Sequence, residues 1–404
     1  MIKKKILLKN YIQKRYLKKK NSVNISNKFE RIFNSIKKDI KNPNKTLNVL
    51  NKTKLYFKIK EIKKFNKFKS VAIVGMGGSI LGTKAIYYFL KDNIKKKFYF
   101  FDNLDENKII DFKKKEKFTK VLFIIISKSG NTIETLFNTL ILKILKKDAN
   151  NIIIISERKN NVLFSLSKKF NLFYVEHKKY IGGRYSVLSE VGILPAYLMG
   201  IDIIRLRSQA LDFLNAKNRK YLKDSSIKLA NLMKSKKYNN LIFLNYMPEL
   251  EKFLNWCQQL IAESLGKKGK GFLPVISNVP KDHHSLLQLY LDGPKDKIFY
   301  IFSSEDKSNK SINLKKNNYK INFLNNKSLY NVKNAQKDAL IKALAKKNIP
   351  FREFKIKAIN EQELGKLFSY FIIETVIIGK LLNIDPFDQP AVEEIKFFTK
   401  KKLS

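Results

Sequence analysis

The chain has 404 residues, 44% of them hydrophobic, enough for two α/β domains with substantial cores. Its 82 Lys+Arg stand against 34 Asp+Glu, a formal charge of +48, but the lysines run along the whole length beside abundant Asn, Ile, Phe and Tyr; this joint bias is that of an A/T-rich coding sequence, so most of the charge reads as solvated lysine and not as a nucleic-acid surface. One cysteine, Cys257, excludes an intramolecular disulfide, the histidines form no zinc pattern, and no apolar run approaches the roughly 20 residues of a membrane helix, which together predict a soluble cytoplasmic protein without a structural metal.

Residues 1–66 read as Lys-rich amphipathic helices packed on the body, with Ile6, Leu7, Tyr11 and Ile12 at helical spacing and no secretory cleavage pattern. From 67 to 192, strand-like runs at 71–74, 98–101, 121–126, 152–155 and 172–175 alternate with helical patterns, as in a mainly parallel sheet covered on both faces. A helical passage around Gly192 to Leu206 follows. A second alternation, at 241–244, 273–276, 298–302, 321–324 and 354–359, then marks a domain over 193–385. No Pro/Gly/Ser linker divides the two, which predicts a broad contact and a cleft between the sheets. Residues 386–404 read as a last short helix with Pro390 in its first turn and Glu393-Glu394 at its positive end. The expected fold is therefore two three-layer α/β/α domains with an N-terminal helical segment and a short C-terminal helix.

Two segments share one design, an apolar β-branched run, a Gly/Ser-rich turn and a helical pattern: Ala72-Ile-Val-Gly-Met-Gly-Gly-Ser-Ile-Leu-Gly82 and Phe123-Ile-Ile-Ile-Ser-Lys-Ser-Gly-Asn-Thr-Ile-Glu-Thr135. Such a turn aims unpaired backbone N–H groups, at the positive end of a helix dipole, toward one point where a phosphate fits. Gly75, Gly77 and Gly78 allow close approach, Ser79, Ser127, Ser129 and Thr132 add hydroxyls, and Lys128 adds a cation. Neither familiar nucleotide motif fits. The lysine of a P-loop is displaced to Lys84, and the third glycine of a dinucleotide fingerprint is Ile80. Either turn alone is equally what a strand needs to pass closely into a helix.

Further along, helical spacing puts Trp256, Leu260 and Glu263 on one face, with Gln259 one turn before the glutamate and Gly266 marking the helix end. Desolvation and the negative end of the dipole would raise the pKa of Glu263 toward a general-base range; a surface or ion-paired glutamate gives the same pattern. Arg184 stands after two glycines in Gly182-Gly-Arg-Tyr-Ser186, suited to an anion or to an ordinary salt bridge. Asp282-His283-His284-Ser285 follows the Pro280 turn, a place for a proton shuttle or for a surface hydrogen-bonder. Near the C-terminus Gln389, Val392 and Lys396 fall on one predicted helix face.

In order, Val74-Gly-Met-Gly-Gly-Ser79, Ser127-Lys-Ser-Gly-Asn-Thr132, Gly182-Gly-Arg-Tyr-Ser-Val-Leu-Ser189, Gln258-Gln-Leu-Ile-Ala-Glu-Ser-Leu-Gly-Lys267, Asp282-His-His-Ser285 and Asp388-Gln-Pro-Ala-Val-Glu-Glu-Ile-Lys396 resemble the glucose-6-phosphate isomerase family in its short bacterial form, built from two sugar-isomerase (SIS) domains. The resemblance implies reversible interconversion of glucose 6-phosphate and fructose 6-phosphate in glycolysis and gluconeogenesis, without metal or organic cofactor. It implies that Ser127, Lys128, Ser129 and Thr132 hold the phosphate, with Gly77, Gly78 and Ser79 at the sugar end and Gln389 as a sugar contact. Glu263 matches the base that moves a proton through a cis-enediol, and Arg184 the cation beside the enediolate. His284 and Lys396 match the groups assisting ring opening, Glu134 the residue orienting His284, and His284 would come from the neighbouring subunit of a homodimer. This sequence departs from the family pattern with His283 where Gln is frequent and Ile395 where Gly is common. The competing readings are another SIS enzyme, such as a bifunctional phosphoglucose/phosphomannose isomerase, and a non-catalytic sugar-phosphate sensor or basic nucleic-acid binder.

Overall fold

A computed structural model describes residues 7–13, 22–51, 55–305, 311–312 and 321–403. The N-terminal part supplies strand β1 (Leu7–Asn10) and helices α1 (Ser22–Lys41) and α2 (Ile59–Ile62). The first alternating unit follows as β2 (Ser70–Gly75), α3 (Leu81–Phe89), β3 (Lys97–Phe101), α4 (Glu106–Lys115), β4 (Val121–Ile126), α5 (Ile133–Ile141), β5 (Ile152–Ser156), α6 (Val162–Lys169) and β6 (Phe173–Glu176). Helices α7 (Glu190–Leu198), α8 (Ile203–Ser208) and α9 (Ala216–Lys234) lead to the second unit: β7 (Asn240–Asn245), α10 (Glu251–Leu265), β8 (Leu273–Asn278), α11 (His283–Asp292) and β9 (Lys297–Ser304). A short hairpin of β10 (Ser311–Ile312) and β11 (Lys327–Ser328) precedes α12 (Leu329–Lys346), β12 (Phe351–Ile356), α13 (Glu361–Leu381) and α14 (Val392–Leu403).

The Ile- and Val-rich runs become central strands because both faces are covered: every residue of β2, β4 and β5 is buried. The first sheet runs β3-β2-β4-β5-β6, all parallel, with Val74 opposite Ile125 and Ile125 opposite Ile154. The second runs β1-β12-β9-β7-β8, parallel except for β1. The largest apolar cluster lies between the two sheets and includes Ile86 of α3, Leu194 of α7, Trp256 and Leu260 of α10 and Phe368 and Ile372 of α13; smaller clusters cover each outer face. Among the described residues no helix is long and apolar enough to cross a membrane.

Four local expectations give way. Leu7–Asn10, read as helical, is a strand, because the open edge of β12 offers a ladder: Leu8 pairs with Phe354, and Tyr11 stacks on Phe351 at 4.5 Å while its N–H donates to the Phe351 carbonyl. Ile6 lies outside the described residues. The expected strand at 321–324 is a 3-10 turn over Asn322–Leu324, and the strand expected at 354–359 begins directly after Pro350, three residues early. Gln389 is not on a helix face with Lys396, since α14 starts only at Val392 and Gln389 is held back by Arg184.

Candidate active site

In the first sheet β2 lies between β3 and β4, so the strand order reverses there and the turns after β2 and β4 meet at the carboxyl edge, where open α/β sheets take their ligands. The turn after β4 is a hydroxyl ring. Ser127 Oγ lies 2.8 Å from Thr132 Oγ1 and 3.5 Å from Ser129 Oγ, and accepts the Gly130 N–H at 3.2 Å. Gly130 holds φ +71°, and a Cβ there would sit 1.7 Å from Asn161 Oδ1, so glycine is required. Thr132 occupies the N-cap of α5 without capping it by its side chain, leaving helix N–H groups and its hydroxyl for an anion. Lys128 Nζ is 3.7 Å from Glu157 Oε1. Desolvation lowers its pKa, the Glu157 carboxylate opposes this, and Lys159 and Arg184 add to the lowering.

The turn after β2, Gly77–Ser79, is wedged between α10 and the 3-10 turn Gly183–Leu188. Gly77 (φ +51°) has the Gln259 amide nitrogen where a Cβ would come within 2.7 Å, and Gly78 lies against the Gly183 backbone. Thus the two glycines bring the first unit into contact with the face of α10 that runs from buried Trp256 and Leu260 to Glu263 at its rim.

Glu263 and Arg184 meet there. Arg184, 2% exposed, donates Nε to Ser264 Oγ (2.8 Å), Nη1 to Glu263 Oε2 (3.2 Å) and Gln389, and Nη2 to the carbonyls of Pro386 (2.7 Å) and Asp388 (2.9 Å). The other Glu263 oxygen, Oε1, accepts from Gln259 Nε2 at 2.9 Å. Both oxygens are therefore oriented while the side chain stays 30% exposed, at the wall of a cavity of about 550 Å³ shared with Lys267, Asp388, Gln389 and Val392. An oriented carboxylate with a buried guanidinium beside it is an arrangement able to accept a proton next to a cation that can meet developing negative charge.

The remaining predicted residues stand elsewhere. Ser79 lines the β2 turn half-buried. His284 is exposed at the start of α11, and neither it nor half-buried Glu134 bonds to the other. Its neighbour His283 is half-buried, with Nε2 3.0 Å from the Tyr246 hydroxyl, and burial lowers its pKa. Lys396 is 61% exposed on α14 and pairs with Glu393 at 2.6 Å, away from Glu263. Two partners escaped the sequence reading: Ser264, whose signal was its place beside Glu263, and Glu157, which carried none.

A model described as phosphoglucose isomerase matches residues 48–403. The chain belongs to the phosphoglucose isomerase family. It is similar to a glucose-6-phosphate isomerase of Methanocaldococcus jannaschii, 32% identical over 344 residues that cover 83% of this chain and 84% of that relative. It is 33% identical over 354 residues to one of Mycoplasmopsis synoviae, covering 82% and 81%. Among solved structures, a hypothetical protein of Thermus thermophilus superposes with a TM-score of 0.83 at 24% identity over 99% of this chain and 100% of that one. A glucose-6-phosphate isomerase of Chlamydia trachomatis gives 0.72 at 18% identity over 85% and 71%. Both structures share the two-sheet fold of this chain.

Proposed function

We infer that this chain has the activity of its family: reversible aldose–ketose isomerisation of D-glucose 6-phosphate and D-fructose 6-phosphate, by ring opening and proton transfer through a cis-enediol. The observation that carries the reading is the meeting of Glu263 and Arg184 against the turn after β2, whose neighbouring strand β4 ends in the Ser127–Thr132 hydroxyl ring, with Arg184 near enough to act on the charge of Lys128. The roles divide by chemistry. Ser127, Ser129, Thr132 and the first N–H groups of α5 hold the phosphate with Lys128 as counter-charge, and the Gly77–Ser79 turn and Gln389 meet the sugar. Glu263 takes the proton from C2 of the aldose and returns it to C1, and Arg184 stabilises the enediolate oxygen as charge develops.

Ring opening is assigned to His284, free on the surface and so available to a second copy, where Glu134 would orient it; the active species is then a homodimer acting in the cytoplasm. Lys396 joins the site only when α14 pivots about the Pro390 region toward the cavity bounded by Val392 and Glu263. Residues 67–192 and 193–385 act as the two SIS domains, 1–66 as an N-terminal segment on the body and 386–404 as the closing element. The test is a coupled assay for glucose 6-phosphate formed from fructose 6-phosphate, run on wild type and Glu263→Gln. The variant keeps size and hydrogen bonding but not basicity, so turnover falls by about 10²–10⁴-fold while sugar phosphate still binds. Undiminished turnover in the variant sinks the mechanism.

A further inference from the structure

We propose that Lys267 is a positioning residue of this centre, acting through the 385–389 segment on Arg184 and Gln389; the proposal rests on the isomerase reading above. Lys267 stands just beyond the end of α10, its side chain 12% exposed. An ammonium has three N–H donors, and the acceptors around this one all belong to a single segment: the carbonyls of Asp385 and Asp388, each at 2.5 Å, and the Asp388 carboxylate. That segment lies in neither helix nor sheet, so no ladder fixes it.

From the opposite side Arg184 grips the same residues. Its Nη2 reaches the carbonyls of Pro386 and Asp388, its Nη1 reaches Gln389, and the Tyr185 hydroxyl donates to Pro386 at 2.8 Å. A guanidinium has five N–H donors; all are engaged here, and those to Pro386, Asp388 and Gln389 depend on where the segment runs. Only Ser264 and Glu263 hold Arg184 from α10. Where the segment moves, the guanidinium and the Glu263 oxygen bonded to it are drawn along. Lys267 pins the segment to the end of the helix that carries the base, so it sets the spacing of base, cation and Gln389 without being needed at the reacting atoms.

The experiment compares wild type, Lys267→Met, Lys267→Arg, Asp388→Asn and the Lys267→Met/Asp388→Asn double variant in the fructose 6-phosphate assay, with thermal midpoints. A displacement of about 1 Å can cost up to about 10²-fold; Lys267→Met accordingly lowers kcat about 10–100-fold, while KM stays within about threefold because the phosphate ring lies on the other unit. The pH profile of kcat keeps its shape, Lys267→Arg restores most of the rate, and the double variant is no worse than Lys267→Met because the two residues act as one strap. Wild-type kcat in Lys267→Met, a raised KM at unchanged kcat, or fully additive losses overturns the proposal. Should Lys267→Met fail to fold, Lys267→Arg and Asp388→Asn decide: a kcat loss confined to Asp388→Asn supports the strap, and two unaltered rates refute it. Absent turnover in wild type would instead refute the isomerase reading.

Discussion

Replacing Gly78 by alanine tests whether the contact between the two units sets the catalytic geometry. A Cβ there would lie 2.2 Å from the Gly183 carbonyl carbon, 2.4 Å from its oxygen and 2.6 Å from the Arg184 nitrogen. All three are backbone atoms, so no rotamer change relieves them, and carbon–carbon contact near 3.5–4.0 Å requires the turns to part by roughly 1 Å or more. Arg184 follows Gly183 directly and takes up that shift at its bonds to Glu263 and Ser264. A misplacement of about 1 Å predicts a loss of about 10²-fold in kcat/KM. Overpacking also costs about 1–3 kcal/mol, a few degrees at roughly 2–4 °C per kcal/mol for domains of this size. The matched control is Gly183→Ala across the same contact, whose Cβ would meet only Gly78 Cα at 3.9 Å, ordinary packing. It should lie within about 0.5 kcal/mol of wild type. Steady-state kinetics and thermal unfolding of both variants make the comparison. Equal kinetic effects, or a Gly78→Ala enzyme that is less stable but fully active, would refute the reasoning.

On the face of the second sheet that α13 covers, fully buried Arg352 of β12 pairs with Glu374 of α13 at 3.1 Å and bonds the Tyr300 hydroxyl at 2.8 Å. Glu374→Gln leaves that guanidinium uncompensated and should cost about 3–5 kcal/mol by denaturant titration, with the activity of folded enzyme unchanged; a smaller loss than about 1 kcal/mol would mean the pair is solvated. The second test uses pH. Burial pushes Glu190 up from 4.5 to about 8 and His177, 3.5 Å from it, down from 6.5 to about 3. Between pH 4.5 and 8 the folded chain keeps a proton on Glu190 that the unfolded chain has lost, so this contribution to stability falls as pH rises. His177 does the reverse between pH 3 and 6.5, where the unfolded chain binds the extra proton. Above pH 6.5 Glu190 acts alone, and the wild-type thermal midpoint should drop toward pH 8 relative to Glu190→Gln. A constant offset between the two proteins would count against it.

The parallel sheets were legible because strands buried on both faces carry a pattern independent of distant partners: β4 is an unbroken run of Val, Leu, Phe and Ile, and β5 is four isoleucines ahead of Ser156. The hydroxyl ring was legible for a similar reason, since Ser127 to Thr132 closes on itself within one turn. What failed was decided by partners far along the chain. Leu7–Asn10 has helical spacing but joins an edge some 340 residues away, and Leu8 pairs there with Phe354. Gln389 was placed on a helix because Pro390 reads as a first-turn residue, whereas the guanidinium of Arg184 holds it in the preceding segment. Spacing within one element could show that Glu263 lies at the edge of an apolar face; that Gln259 and Arg184 each bind one of its oxygens depends on how α10 meets turns from the other unit.

The charge distribution bears on how such a site works in this chain. With 34 Asp+Glu to serve 82 Lys+Arg, most cations must go without a carboxylate. Yet three cations near the cleft have one: Glu157 on Lys128, Glu263 on Arg184 and Asp388 on Lys267. Charge alone cannot mark the site when lysine covers the surface, because exposed ammonium groups are screened within about 8–10 Å at ordinary ionic strength. Pairing supplies what the surface lacks, a fixed direction for each cation, and direction is what stabilisation of a developing oxyanion requires. Removing the carboxylate beside a buried cation also carries a penalty, so Glu263 constrains the buried guanidinium of Arg184. The scarce carboxylates therefore fix the direction of Lys128, Arg184 and Lys267, which the excess of exposed lysine does not.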